Sequence, residues 1–311
     1  MTKFLYTYAC QLGEHELSRL EQRAFFGEDT AENVLMSDVC IEPSRSPFIR
    51  ARIDLLFVEP TVEGLCEQVK ALDLGAQTFK ITHFNDKDLA IKPKMARPER
   101  LQMMRTVADC IEAEPDLTNP DVEFGLLFTQ EKYYFGKVVH GESVWLHHMQ
   151  KPEMYSTALS TRVARAVANI AAPQIDGVKV IDPCCGIGTV LVEAMSMGMD
   201  IKGRDMNKRV VWGSRINLRH FGYEPDVDIG PIEEAPEGYD VAIVDMPYNL
   251  FTHISSDLQS SIIKHARRIA RRVVIVTIES MDDKIAAAGL KVVDRGVVQK
   301  SNFEREIVVC E

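Results

Sequence analysis

Two glycine- and carboxylate-bearing runs and one acidic pentapeptide are the residues of this chain best suited to chemistry. In Val180-Ile181-Asp182-Pro183-Cys184-Cys185-Gly186-Ile187-Gly188-Thr189, a β-branched run enters a glycine-bearing turn and continues into an apolar helical stretch. Glycines at such a turn let the backbone approach a ligand closely, and the helix start delivers free N–H groups. Asp205 follows Ile201-Lys202-Gly203-Arg204, seventeen residues beyond Gly188. A carboxylate at that strand end can accept both ribose hydroxyls of a nucleoside, or it can cap the helix that begins near Asn207. The loop lacks the third glycine that seats a pyrophosphate, so a nucleoside without phosphates suits it better. The pentapeptide is Asp245-Met246-Pro247-Tyr248-Asn249, which ends the strand-like Asp240-Val241-Ala242-Ile243-Val244. Asp245 and nearby carbonyls can accept hydrogen bonds from an amino group, and Tyr248 offers a face on which a base can stack.

These residues require a scaffold, and the second half of the chain alternates short β-branched runs with longer amphipathic ones. Strands are expected at 178–181, 199–203, 239–244 and 272–278, with helices at 190–197, 207–220, 258–270 and 281–288. That is βαβ alternation and therefore a parallel sheet. It closes with two strands, 291–298 and 304–309, as a β-hairpin around Lys300-Ser301-Asn302. The first half has less rhythm. Strands are expected at 4–9, 52–58, 122–129 and 133–139, and helices at 14–25, 62–72 and 99–111. A connector with a helix at 160–171 joins the halves, which gives domains at 1–142 and 176–311 with 143–175 between them.

With 311 residues, 46% of them hydrophobic, the chain can bury two cores. Its net charge of -10 repels phosphate backbones overall, with -8 in residues 1–150 and -2 in the rest. Seven cysteines without zinc-type spacing suit a reducing cytoplasm. No apolar run approaches the roughly 18 residues needed to span a bilayer, and no metal-ligand set is visible. Cys184 and Cys185 have no paired general base in sequence, and the adjacent His147 and His148 lack further ligands.

The 245–248 run resembles the Asp-Pro-Pro-Tyr signature of methyltransferases that act on exocyclic amines. Around it, Asp116-Leu117-Thr118-Asn119-Pro120-Asp121-Val122-Glu123, Lys151-Pro152 and Tyr155-Ser156-Thr157-Ala158-Leu159 occur in the order found in a known family. The chain resembles the THUMP-domain tRNA guanine N2-methyltransferases, of the tRNA guanosine-10 type. The resemblance implies an α+β, ferredoxin-like THUMP unit that binds RNA, followed by a Rossmann-like class I methyltransferase domain. It implies that Asp182, Pro183, Gly186, Gly188, Asp205 and Met206 contact S-adenosylmethionine. Asp245, Pro247 and Tyr248 would hold the target guanine, its amine oriented for in-line displacement.

Two positions depart from the family pattern. Met246 replaces the first proline of the signature, removing a fixed φ. The acid that often follows the third strand falls at Pro231, with Asp228, Glu233 or a backbone carbonyl as substitutes.

RNA contact is expected from Lys87, Lys92, Lys94, Arg97 and Arg100, in a stretch from Lys80 to Arg105 that carries a net +4. A second basic run at 264–272 reads better as a helix C-terminus. The expected activity is methyl transfer to the N2 amine of a guanosine in tRNA or another structured RNA. The alternatives are another amine, in adenine or a protein glutamine, and a noncatalytic RNA-binding protein that keeps the fold.

Overall fold

The alternation read from the sequence takes shape as two sheets in a computed structural model that describes residues 3–84, 96–155, 158–247, 255–300 and 303–311. In chain order the elements are β1 (Phe4–Tyr8), α1 (His15–Phe26), β2 (Val34–Ser37), β3 (Ile49–Glu59), α2 (Val62–Val69), β4 (Phe79–His83), α3 (Arg97–Ala108), β5 (Val122–Thr129) and β6 (Lys132–His140). There follow α4 (Val144–His148), α5 (Thr161–Ala171), β7 (Lys179–Asp182), α6 (Thr189–Ser196), β8 (Asp200–Asp205), α7 (Lys208–His220), β9 (Val227–Ile229) and β10 (Tyr239–Asp245). The chain closes with α8 (Ser256–Ile269), β11 (Ala270–Thr277), α9 (Asp282–Ala287), β12 (Val292–Lys300) and β13 (Phe303–Cys310). None of the described helices is long and apolar enough to cross a membrane.

One unit comprises Met1–Ala9, Thr30–Ser44 and Phe48–Glu142; the other comprises Cys10–Asp29, Arg45–Pro47 and Ser143–Glu311. The first unit is α+β, with a six-stranded sheet in the order β2-β1-β3-β6-β5-β4. Its pairings are antiparallel except β4 with β5. Helices α2 and α3 cover the sheet through Leu65, Val69, Met103 and Val107, which pack on Phe79, Phe124 and Phe135. The β5–β6 hairpin turns on Gln130 and Glu131, both at positive φ (48° and 59°), as a tight two-residue hairpin requires. The run 116–123 builds the entry to that hairpin. Asp116 accepts from the Thr118 and Asn119 amides, and Asp121 accepts from both the amide and the hydroxyl of Thr78.

The second unit carries a seven-stranded sheet in the order β12-β13-β11-β10-β7-β8-β9. The five strands β7 to β11 run parallel to one another, and β13 inserts antiparallel between β11 and β12. This is the α/β domain with a closing hairpin that the sequence implies. Strand order reverses between β7 and β10, which opens a crevice at the carboxyl ends of the strands. Beneath it, Ile262, Ile263 and Ala266 of α8 pack on Val244, Val273, Ile275 and Val308.

The unit boundaries differ from the expected 1–142, 143–175 and 176–311. Residues 10–29 and 45–47 belong to the second unit, and 143–175 is built into it rather than linking to it. The cause is a buried polar network. Glu21 of α1, fully buried, accepts hydrogen bonds from Ser46 and from Asn169 Nδ2 (2.7 Å), and burial raises its carboxyl pKa to about 7. Arg165 of α5 donates to the Arg45 carbonyl (2.9 Å) and to Glu193 of α6 (2.8 Å). Outside this network, Arg23 of α1 forks onto Asp294 of β12 at 2.8 and 2.9 Å.

Candidate active site

Asp182, Asp205 and Asp245 are the last residues of β7, β8 and β10, and those three strands are neighbours in the sheet. A parallel sheet points such terminal side chains into the crevice above its edge, so three carboxylates separated by up to 63 residues converge. They line a cavity of about 560 Å³, together with Pro183, Gly186, Met206 and Pro247. That size suits a small molecule. Of the expected site residues, the structure thus brings together Asp182, Pro183, Gly186, Asp205, Met206, Asp245 and Pro247.

Gly188 lies behind the wall. It is the N-cap of α6 at φ 78°, and a Cβ there would come within 2.3 Å of Ser214 Oγ. Its part is to let the loop close against α7. Tyr248, Lys87, Lys92 and Lys94 lie outside the described residues, as do Ser156 and Thr157 of the pre-catalytic segment and Ser301 and Asn302 of the closing turn. Arg97 and Arg100 belong to α3 of the first unit, Arg97 exposed and Arg100 half-buried. Lys80, also counted in the basic stretch, is engaged with Glu123 at 3.1 Å. In the second basic run, Arg268 reaches Glu237 and nearby carbonyls, Arg271 pairs with Asp240 and Arg272 with Glu311.

The hydrogen bonds of the three aspartates differ. Asp205 accepts the Gly186 amide at 3.0 Å and the Asn207 amide at 2.8 Å, so it orders the glycine turn and the start of α7 at once. Each oxygen keeps a further lone pair for a ligand hydroxyl. Its capping role and its ligand role are therefore compatible. Asp182 is 2% exposed and, among the described residues, accepts only the Cys184 amide, at 3.2 Å. Burial first, and then the nearby Asp245 and Asp205, hold its pKa well above the usual carboxylate range despite that bond. Asp245 Oδ1 is shielded from solvent and has no hydrogen-bond partner among the described residues. Burial pushes its pKa up to about 7, opposed by the positive charge of Arg305.

Met246 explains its own departure from the signature. Its amide donates to the Val276 carbonyl at 2.9 Å, a ladder bond that proline cannot make, and its side chain is 2% exposed in the core beneath the cavity. Of the substitutes for the acid after the third strand, Glu233 lines the cavity, whereas Asp228 is held by Lys202 (3.3 Å) and Arg204 (3.7 Å).

Several lining residues escaped the sequence reading, notably Thr189, Val210 and Leu258. Thr189 Oγ1 is buried and unpartnered among the described residues. Tyr155 and Leu159 also line the cavity, and their signal was the pre-catalytic segment itself. Cys184 is in the wall, but burial raises its thiol pKa well above the ordinary value, the opposite of an activated nucleophile. His148 is structural: its Nδ1 meets Glu193 at 2.9 Å with both groups buried. The cavity wall contains four carboxylates, Asp182, Asp205, Glu233 and Asp245, and no lysine, arginine or histidine among its described residues.

Residues 149–297 match the family described as RMKL-like, methyltransferase domain. The match takes in β7 to β11, and with them all three converging aspartates. A tRNA (guanine(10)-N2)-dimethyltransferase of Methanothermobacter thermautotrophicus is 31% identical over 105 residues, or 32% of this chain and 31% of that one. A U6 snRNA (guanine-N(2))-methyltransferase of Mus musculus, THUMPD2, is 28% identical over 163 residues, or 50% of this chain and 30% of that one. The chain thus spans about a third of the length of these relatives. TrmN from Thermus thermophilus shares the fold over 100% of this chain and 99% of its own, with a TM-score of 0.50 and 16% identity.

Proposed function

We propose that the protein is an S-adenosylmethionine-dependent methyltransferase of the exocyclic N2 amine of a guanosine in structured RNA, with tRNA as the first substrate to test. The observation that carries this reading is the cavity lined by four carboxylates and, among its described residues, no cation. Burial favours the neutral forms of Asp182 and Asp245 and a bound positive charge favours their ionised forms, so the wall suits a ligand of net positive charge better than the pyrophosphate of a dinucleotide. S-Adenosylmethionine fits on those grounds, and when bound it supplies an electrophilic methyl group on a sulfonium sulfur.

The chain's own residues then divide the work. Asp205 accepts the ribose hydroxyls while its two backbone bonds keep its carboxylate fixed. Gly186 leaves room for the ligand at the turn, Asp182 and Pro183 close the wall above β7, and Met206, next to Asp205, lines the same cavity. Asp245, with Oδ1 free of any partner among the described residues, accepts a hydrogen bond from the target amine and points its lone pair along the line of displacement. Pro247 shapes the turn, and Tyr248 stacks the base. The first unit serves as the THUMP-like RNA-binding region, in which Lys87, Lys92, Lys94, Arg97 and Arg100 meet phosphates. The compartment is the cytoplasm, in keeping with seven free cysteines.

Replacing Asp205 with alanine removes the two amide bonds together with the ribose contact. Isothermal titration calorimetry is expected to show cofactor affinity lowered by about 1.5–3 kcal/mol, the range for hydrogen bonds to charged groups. Unchanged affinity would remove Asp205 from the ribose site.

The N2 assignment is tested by substituting the substrate. Label from methyl-labelled S-adenosylmethionine should enter tRNA transcripts made with guanosine and not transcripts made with inosine, which lacks the N2 amine. Equal labelling of both sets would overturn the assignment.

A further inference from the structure

Helix α7 leaves the cavity carrying an exposed stripe that its own stability does not call for. Asp205, Met206, Asn207 and Val210 at its start line the cavity. Val211, Ser214, Asn217 and Leu218 are its buried side. Asn217 accepts the Glu153 amide at 2.9 Å and donates to the Glu153 carbonyl at 3.0 Å, which fixes the segment that brings Tyr155 to the cavity. On the outer side Lys208, Arg209, Trp212, Ile216, Arg219 and His220 recur at helical spacing and are all exposed, Trp212 by 58%.

Four of the thirteen residues of α7 are lysine or arginine and none is acidic, in a chain of net charge -10. Lys208 and Arg209 stand in the first turn, where the helix dipole favours acids, so they work against the helix that carries them. Neither these two nor Arg219 forms an ion pair among the described residues. Arg215 sets its guanidinium 5.9 Å from the Trp212 ring centroid and is itself anchored on the Val227 carbonyl. The indole is thereby backed by a fixed cation and open on its exposed side.

We propose that this stripe binds the RNA strand beside the target nucleotide, with an unpaired base stacked on Trp212 and phosphates held by Lys208, Arg209 and Arg219. An aromatic platform flanked by cations is the pattern of sequence-tolerant single-strand binding. The charge favours RNA over a protein partner, because Lys208, Arg209 and Arg219 present three cations with no carboxylate on the same helix, and the apolar part of the stripe is only Trp212 and Ile216. The helix is about 20 Å long, so the stripe extends the footprint outward from the cavity.

The proposal rests on the RNA-methylation reading, and the test separates the two. Trp212→Ala, Trp212→Phe and the triple variant Lys208→Ala/Arg209→Ala/Arg219→Ala are compared with the wild-type protein for S-adenosylmethionine affinity, for affinity to bulk tRNA across a salt series, and for transfer kinetics. Cofactor affinity should stay within about twofold in all variants, which also reports that they are folded. Trp212→Ala should weaken tRNA binding by about 5- to 150-fold, raising KM with kcat kept at saturating RNA, and Trp212→Phe should restore most of the loss. The triple variant should flatten the logarithmic salt slope by about 2. Unchanged RNA affinity in an active wild-type background would overturn the role of the helix alone. A wild-type protein that binds the cofactor but neither binds nor methylates RNA would overturn both the helix and the function. Variants that keep RNA affinity yet lose a protein that copurifies with the wild type would assign the stripe to a protein partner instead.

Discussion

Asp245→Ala is expected to lower kcat about a thousandfold while S-adenosylmethionine affinity changes by less than about twofold. The carboxylate ends β10, and Oδ1 has no hydrogen-bond partner among the described residues, which leaves it open to accept the hydrogen bond that the proposed role requires. Losing one preorganised group that orients or stabilises a reacting centre costs about 10²- to 10³-fold, and here the same group also places the nucleophile. Equal loss of turnover and cofactor affinity would contradict the role. The pH dependence gives an independent check. Burial raises the Asp245 pKa from 3.8 to about 7, against the opposing charge of Arg305. Below that pH the carboxyl is protonated and no longer a pure acceptor, so kcat/KM should rise with pH through about 7. Asp245→Asn should abolish that limb. The linkage runs the other way for stability: the folded state holds this proton between pH 3.8 and about 7, so the group's contribution is largest in acid and is lost as pH rises through about 7. Asp245→Ala should therefore be at least as stable as the wild type at pH 8, which separates lost catalysis from lost folding.

The second large effect is on folding. Glu193 of α6 is fully buried, and it accepts hydrogen bonds from Arg165 at 2.8 Å and His148 at 2.9 Å. It joins α4, α5 and α6, and α6 is the helix that starts at the glycine turn. Glu193→Ala takes the carboxylate away from Arg165, itself 2% exposed, which keeps its bonds to Ser196 and the Arg45 carbonyl. Removing one partner of a buried ion pair costs about 3–5 kcal/mol. Trp145, buried within 5.9 Å of the Arg165 guanidinium, provides a fluorescence probe for denaturant unfolding. Glu193→Gln should lose less, since it keeps an acceptor. A loss below about 1 kcal/mol for Glu193→Ala would show that the network is dispensable.

The parallel-sheet half was legible because its signals are local. A β-branched strand, a glycine turn and a terminal acid lie within one short window, and a parallel sheet then brings Asp182, Asp205 and Asp245 together without further information. The membership of α1 was not legible. Its helical period shows in residues 14–25, but the residue that places it, Glu21, has its partner Asn169 148 positions away. Strands β2 and β9, of four and three residues, are too short for alternation to register. Met246 read as a defect because the family pattern prizes the fixed φ of proline, whereas the ladder bond to Val276 that compensates is a tertiary fact. The same limit applies to the basic stretch from Lys80 to Arg105, where Lys80 is neutralised by Glu123 from the neighbouring strand.

The most direct test of the central claim is nucleoside mass spectrometry of total tRNA from a deletion strain beside its parent, followed by incubation of the deletion tRNA with purified protein and S-adenosylmethionine. N2-methylguanosine or its dimethyl form is expected to fall in the deletion strain and to return on incubation. An unchanged N2-methylguanosine content, with no methyl group incorporated by the purified protein, would contradict it.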